Sequence, residues 1–136
     1  MILVDTSVLI DFFKGAKAPG KFYFKKVLER NIPFGITSFT YQEILQGAKS
    51  EQELDRLQAY LSTQRFYHPK DPLQSFEAAA RIYFLCRRKG VTVRSTIDCL
   101  IAQISVEHNL LLLHSDRDFD AMATVIPLQS PLPILR

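Results

Sequence analysis

Only five glycines occur in the 136 residues and none are clustered, which excludes the glycine-rich loops that cradle nucleotide phosphates. The two cysteines, Cys86 and Cys99, stand apart, which excludes a paired thiolate metal site and a disulfide framework. Each falls within a segment that reads as helix, where a free thiol serves as a small core side chain. His68, His108 and His114 show no ligand spacing and none lies beside a cysteine, so a zinc site has no donors. No serine or cysteine has the histidine-bearing setting that nucleophilic catalysis needs. Apolar stretches fall well short of the ~20 residues of a membrane span. The first of them breaks at Asp5, so neither a secretory leader nor membrane attachment is expected, and the chain is expected to be cytoplasmic. Repeats, linkers and low-complexity blocks are also missing, and the length suits one domain over residues 1–136.

What is present is a chain 47% hydrophobic, with a formal charge of +3 and a pI near 9.0. Disorder is excluded by that composition, while the charge points only weakly to an anionic partner. The organising stretch is Met1 to Phe13, MILVDTSVLIDFF. An apolar run cut off by an acid suits a strand buried on both faces. Thr6 and Ser7 then open a helix, which places Asp5 at a strand-to-helix junction, where open α/β sheets bind ligands.

Two more junctions of the same kind follow. Phe34 to Thr37 reads as a strand and Ser38 as the cap of a helix to Gln46, closed by Gly47. Leu110 to Leu113 is the plainest strand, running through His114 and Ser115 into Asp116, Arg117, Asp118, Phe119 and Asp120. Between them, the spacing predicts helices over Lys21 to Arg30 and Glu51 to Thr63, and a strand over Phe66 to His68. A further helix starts at Asp71 and Pro72 and stops at Gly90. The last predicted helix is capped by Ser95 or Thr96 and carries Asp98 in its first turn. Val125 to Leu128 reads as a last strand, and Ser130 to Arg136 carries no interpretable signal. Strands alternating with helices predict an α/β fold, a three-layer α/β/α sandwich with a central, mostly parallel sheet.

Asp5 and Asp116 therefore reach one edge of the sheet. Glu43, a few residues into its helix, tilts back toward that edge; the placement of Asp98 depends on tertiary packing. Two like charges ~4 Å apart repel by about 4 kcal/mol at an effective dielectric of 20, so a crowded set needs protonation or a cation. An all-carboxylate set suits Mg²⁺ or Mn²⁺, which activate water for phosphodiester hydrolysis. Each acid also has an ordinary role. Asp5 suits an N-cap, Asp98 the third helical position after Ser95, Asp118 the same position after Ser115, and Glu43 a solvated helix face.

The segments MILVDTSVLIDFF, ITSFTYQEILQGA and RSTIDCLIAQISVEHNLLLLHSDRDFDAMA together resemble those of a PIN domain, specifically the VapC toxins of type II toxin–antitoxin systems. The resemblance implies a PIN-like fold and an endoribonuclease dependent on Mg²⁺ or Mn²⁺, its metal and catalytic positions falling on Asp5, Glu43, Asp98 and Asp116. Thr6 corresponds to a supporting hydroxyl. Asp118 is the alternative for the fourth acid, and Asp120 is taken as solvated. The resemblance further implies an RNA substrate (tRNA, rRNA or mRNA), a homodimer, and a cognate VapB-type antitoxin that blocks the site. Lys14, Lys17, Lys21, Lys25, Lys26 and Arg30, and Arg81, Arg87, Arg88, Lys89 and Arg94, are candidates to hold RNA phosphates around the acidic centre. The acids alone leave open a DNA-acting or structure-specific nuclease of the same fold, and an RNA-binding module without hydrolytic activity.

Overall fold

In the computed structural model, which describes residues 1–15 and 19–135, four short strands form one wholly parallel sheet. The strands are β1 (Ile2–Val4), β2 (Phe34–Thr37), β3 (Arg65–Tyr67) and β4 (Leu111–Leu113), in the order β3-β2-β1-β4. The chain adds β2 and β3 on one side of β1, then returns to place β4 on the other. The strand order thus reverses between β1 and β4, and that is the crevice in which open α/β sheets hold their ligands. Register is fixed by Ile2 opposite Phe34 on one side and opposite Leu111 on the other.

The alternation of β1 sorts the core into two layers. Ile2 and Val4 face a cluster with Val8, Leu9, Phe24, Val27, Ile36, Ile44, Leu61 and Leu113. These come from α1 (Thr6–Phe13), α2 (Pro19–Glu29), α3 (Ser38–Gln46) and α4 (Glu51–Leu61), together with the strands. Leu3 points the other way, into a cluster with Ile82, Cys86, Cys99, Ile101, Ile104, Leu112, Phe119 and Met122. That layer is built from α5 (Gln74–Arg88), α6 (Thr96–Glu107) and α7 (Arg117–Met122). Successive strand side chains leave opposite faces, so a strand of three apolar residues suffices to bind two helical layers to one sheet. At Gly35 the β2 backbone runs so close to β3 that a Cβ would lie 2.8 Å from the Arg65 carbonyl oxygen and against the Tyr67 ring. Both cysteines are buried and free, as core thiols should be.

Several local expectations are corrected. Val125 to Leu128 is not a strand. Val125 and Ile126 both donate to the Met122 carbonyl, which keeps the chain turning off α7, and Pro127 has no N–H to give a ladder. Of this segment, Gln129 pairs with the sheet as an isolated bridge to Leu111. The cap of α3 is Thr37, whose hydroxyl accepts from the Thr40 N–H, with Ser38 already helical. Asp71 does hold the Leu73 and Gln74 N–H groups at 2.8 and 2.6 Å, but Pro72 lies in a turn and α5 begins two residues later than the Asp-Pro signal suggests. The tail forms α8 (Leu132–Leu135), whose Leu135 is buried and whose last carbonyls accept from Lys26 and Arg30. Those two cations thus spend donors on the fold. Lys17, counted in the basic stretch, and Arg136 lie outside the described residues. Among the described residues no helix is long and apolar enough to cross a membrane.

Candidate metal centre

Asp5 follows β1 directly and caps α1. Its Oδ2 accepts from the Ser7 N–H at 3.0 Å and from the Ser7 hydroxyl at 2.6 Å. The Ser7 oxygen in turn accepts from the Ser115 N–H at 3.0 Å, tying the end of β1 to the loop after β4. With one oxygen so held, the carboxylate has a fixed direction. Burial pushes the Asp5 carboxyl up, and the bonds from Ser7 oppose it. Ser7 is a positioning residue the motif reading passed over. Its signal was a serine two residues after a capping aspartate, where a hydroxyl can reach the carboxylate.

Glu43 turns back from α3 toward Asp5. Burial and the Asp5 charge raise its pKa, and a hydrogen bond from Thr6 lowers it. The Thr6 hydroxyl is 3.4 Å from the Glu43 carboxylate and 3.1 Å from the buried Thr40 hydroxyl, which also neighbours Thr37. Thr6 therefore orients Glu43 and is not itself the α1 cap. Asp98 occupies the first turn of α6, its N–H bound by Ser95 at 3.3 Å. Its carboxyl is pushed up to about 7 by burial and then by Asp5, Asp116, Glu43 and Asp118. Acids from four parts of the chain thus meet at the carboxyl edge beside the reversal of strand order.

Asp116 is the cap of α7, its Oδ1 accepting from the Asp118 N–H at 2.9 Å, so the cap anticipated at Ser115 sits one residue later. Asp118 points inward and is only 6% exposed. Its Oδ2 accepts from the backbone N–H of Arg94 at 3.3 Å and from Arg94 Nε at 3.4 Å. Carboxylate oxygens of Asp98, Asp116 and Asp118 all lie within 4.8 Å of one another. Both candidates for the fourth acid therefore reach the centre. Asp120 is solvent-facing, 3.7 Å from His114, whose pKa burial lowers.

A hard divalent ion fits this donor set. Every donor is an oxygen, and burial, followed by the like charge gathered around it, raises the Asp98 carboxyl to about 7. A carboxyl whose folded pKa (about 7) exceeds its ordinary value of 3.8 binds its proton more tightly when folded, so its contribution to stability is lost as pH rises through that interval. Glu43 and Asp5 act in the same direction; His114, lowered, acts in the opposite one below its ordinary value of 6.5. In chelator, the melting temperature should fall between pH 5 and pH 8, and Asp98→Asn should flatten that slope. An equal slope in the variant would show that the cluster does not hold the proton.

Comparison with known proteins converges. The profile of the PIN domain family matches residues 2–125. The chain is 33% identical over 131 residues to Ribonuclease VapC11 of Mycobacterium tuberculosis, covering 96% of this chain and 97% of that protein. A toxin–antitoxin complex from Klebsiella pneumoniae contains a chain of the same fold, with TM-score 0.68, 24% identity, and coverage of 96% of this chain and 98% of that one. VapBC-1 from nontypeable Haemophilus influenzae gives TM-score 0.71 at 20% identity, with 96% of each chain covered.

Proposed function

The chain belongs to the PIN domain family, and from that membership we propose that it is the toxin of a type II toxin–antitoxin system, a divalent-metal-dependent endoribonuclease. Asp5, Glu43, Asp98 and Asp116 are read as the residues that hold Mg²⁺ or Mn²⁺, with Asp118 and Thr6 in support. The observation that carries the reading is the convergence of these carboxylates, where burial and then the charges of Asp5, Asp116, Glu43 and Asp118 raise the Asp98 carboxyl, a cost that a bound cation would relieve. When bound, the ion supplies positive charge that acidifies water and stabilises the oxyanions of phosphodiester hydrolysis. The protein's part is positional. Ser7 locks Asp5, Thr6 turns Glu43 inward, and Arg94 anchors Asp118. Carboxylates fixed in this way need little rearrangement when substrate arrives, which is where preorganised sites gain rate. The toxin acts in the cytoplasm on tRNA, rRNA or mRNA, forms a homodimer, and is restrained by a VapB-type antitoxin, the partner type named for the Haemophilus complex.

Incubating the protein with total cellular RNA should give discrete fragments with Mg²⁺ or Mn²⁺ and none in chelator, while a matched DNA strand stays intact. Binding should also register without turnover. At Mn²⁺ one hundred times its Kd, the folded state gains about 2.7 kcal/mol, which raises the melting temperature by several degrees. Cleavage that persists in chelator, or cleavage of DNA alone, would overturn the reading.

A further inference from the structure

Of the 17 lysines and arginines in the chain, Arg94 is the only one, among the described residues, within 4.0 Å of a carboxylate. It stands in the connector before α6, four residues ahead of Asp98. Its use of donors is uneven. The backbone N–H and Nε both go to one oxygen of Asp118, at 3.3 and 3.4 Å. An arginine has five N–H donors, and the four on its terminal nitrogens make no hydrogen bond within the described residues. Exposure divides the pair in the same way, with the Arg94 side chain 63% exposed and that of Asp118 9%. The carboxylate is inside and the guanidinium is at the rim. A pairing that served only to neutralise Asp118 would not need to leave the forked end of the cation in water.

That end opens onto a groove lined by Thr92, Arg94, Arg117, Asp118 and Ala121. Two arginines and a hydroxyl-bearing residue thus border the acidic centre on the side of α7. A polyanion approaching carboxylates is repelled, and cations at the rim counter that repulsion. Arginine matches the tetrahedral oxygens of a phosphate with a planar fork, which a lysine cannot do.

We propose that Arg94 is a positioning residue with two attachments: Nε and the backbone N–H fix Asp118, while the terminal nitrogens bind an RNA phosphate next to the scissile one, with Arg117 alongside. This rests on the ribonuclease reading above and adds to it the residue that places the RNA.

The test separates the two. RNA binding is measured by fluorescence anisotropy with a short single-stranded oligonucleotide, in the Asp98→Asn background so that nothing is cut, across a range of salt concentrations. Adding Arg94→Ala should weaken binding about tenfold and reduce the slope of log affinity against log salt by about 0.7, the value for one phosphate contact on a single strand. With Asp98 intact, Arg94→Lys should keep KM within about threefold while kcat falls at least tenfold, because the charge remains and the Nε hold on Asp118 is lost. Melting curves confirm that each variant is folded. Unchanged affinity and salt slope in Arg94→Ala, with only a lowered melting temperature, would reduce Arg94 to a structural partner of Asp118 and overturn the inference. Failure of the parent to bind RNA at any salt concentration would overturn the ribonuclease reading, and this inference with it.

Discussion

Asp98→Asn is expected to lower RNA cleavage by at least about a thousandfold, some 4 kcal/mol of transition-state stabilisation, while leaving the metal-free protein as stable as the parent or more so. The two effects have one cause. Asparagine keeps the shape of the side chain and removes the charge that burial, Asp5, Asp116, Glu43 and Asp118 all disfavour. At pH 8 in chelator the variant should therefore melt at or above the parent, and the stabilisation by Mn²⁺ should shrink. Such an inverse relation of activity and stability marks residues retained for chemistry. Asp120→Asn is the matched control. Its side chain is 78% exposed and outside the carboxylate group, so cleavage and stability should both stay near parental values. A variant of Asp98 that melts well below the parent, or that still cleaves efficiently, would contradict the electrostatic account.

Phe119→Ala should cost about 3–5 kcal/mol, as is usual for emptying a fully buried aromatic site. The ring has no exposure, joins the core beneath α6, and lies 5.0 Å from the His114 ring. It anchors α7, the helix whose first turn presents Asp116 and Asp118. Against a typical domain stability of about 5–15 kcal/mol, the loss would remove between about a fifth and all of it. Urea midpoints should show it directly, with Phe119→Leu losing much less. The folded remainder of the alanine variant should also bind Mn²⁺ more weakly. A cost below about 1 kcal/mol would mean that the core does not reach under the acidic turn.

Much of this was legible in the chain because the decisive signals were local. An apolar run ending in Asp5, a leucine run ending near Asp116 and the Ser95 cap with Asp98 in the first turn each announced their position. Thr37 displaced Ser38 as a cap by a single position, within what helix-start signals resolve. Where sequence failed, the missing term was an interaction between distant residues. The burial of Asp118 depends on Arg94, 24 residues earlier, and the direction of Asp5 depends on a bridge from Ser7 to Ser115, 108 residues apart. Val125 to Leu128 had apolar content suited to a strand, but the carbonyl of Met122 captured its first two N–H groups. α8 is held by Lys26 of α2 and by Arg30 just beyond it, and nothing in Ser130 to Arg136 advertises them.

The order in which the strands are laid down also governs when the protein can become active during synthesis. β4 pairs with β1 through Ile2 and Leu111, 109 residues apart (111 − 2), so the two walls of the crevice leave the ribosome well separated in time. A nascent chain that has emerged only through α6 presents Asp5, Glu43 and Asp98 with three of the four strands made, without the turn that brings Asp116 and Asp118. Closing so long a loop is slow compared with local helix formation. The carboxylate centre is therefore completed only once β4 and the first turn of α7 have been made and the chain has closed back onto β1.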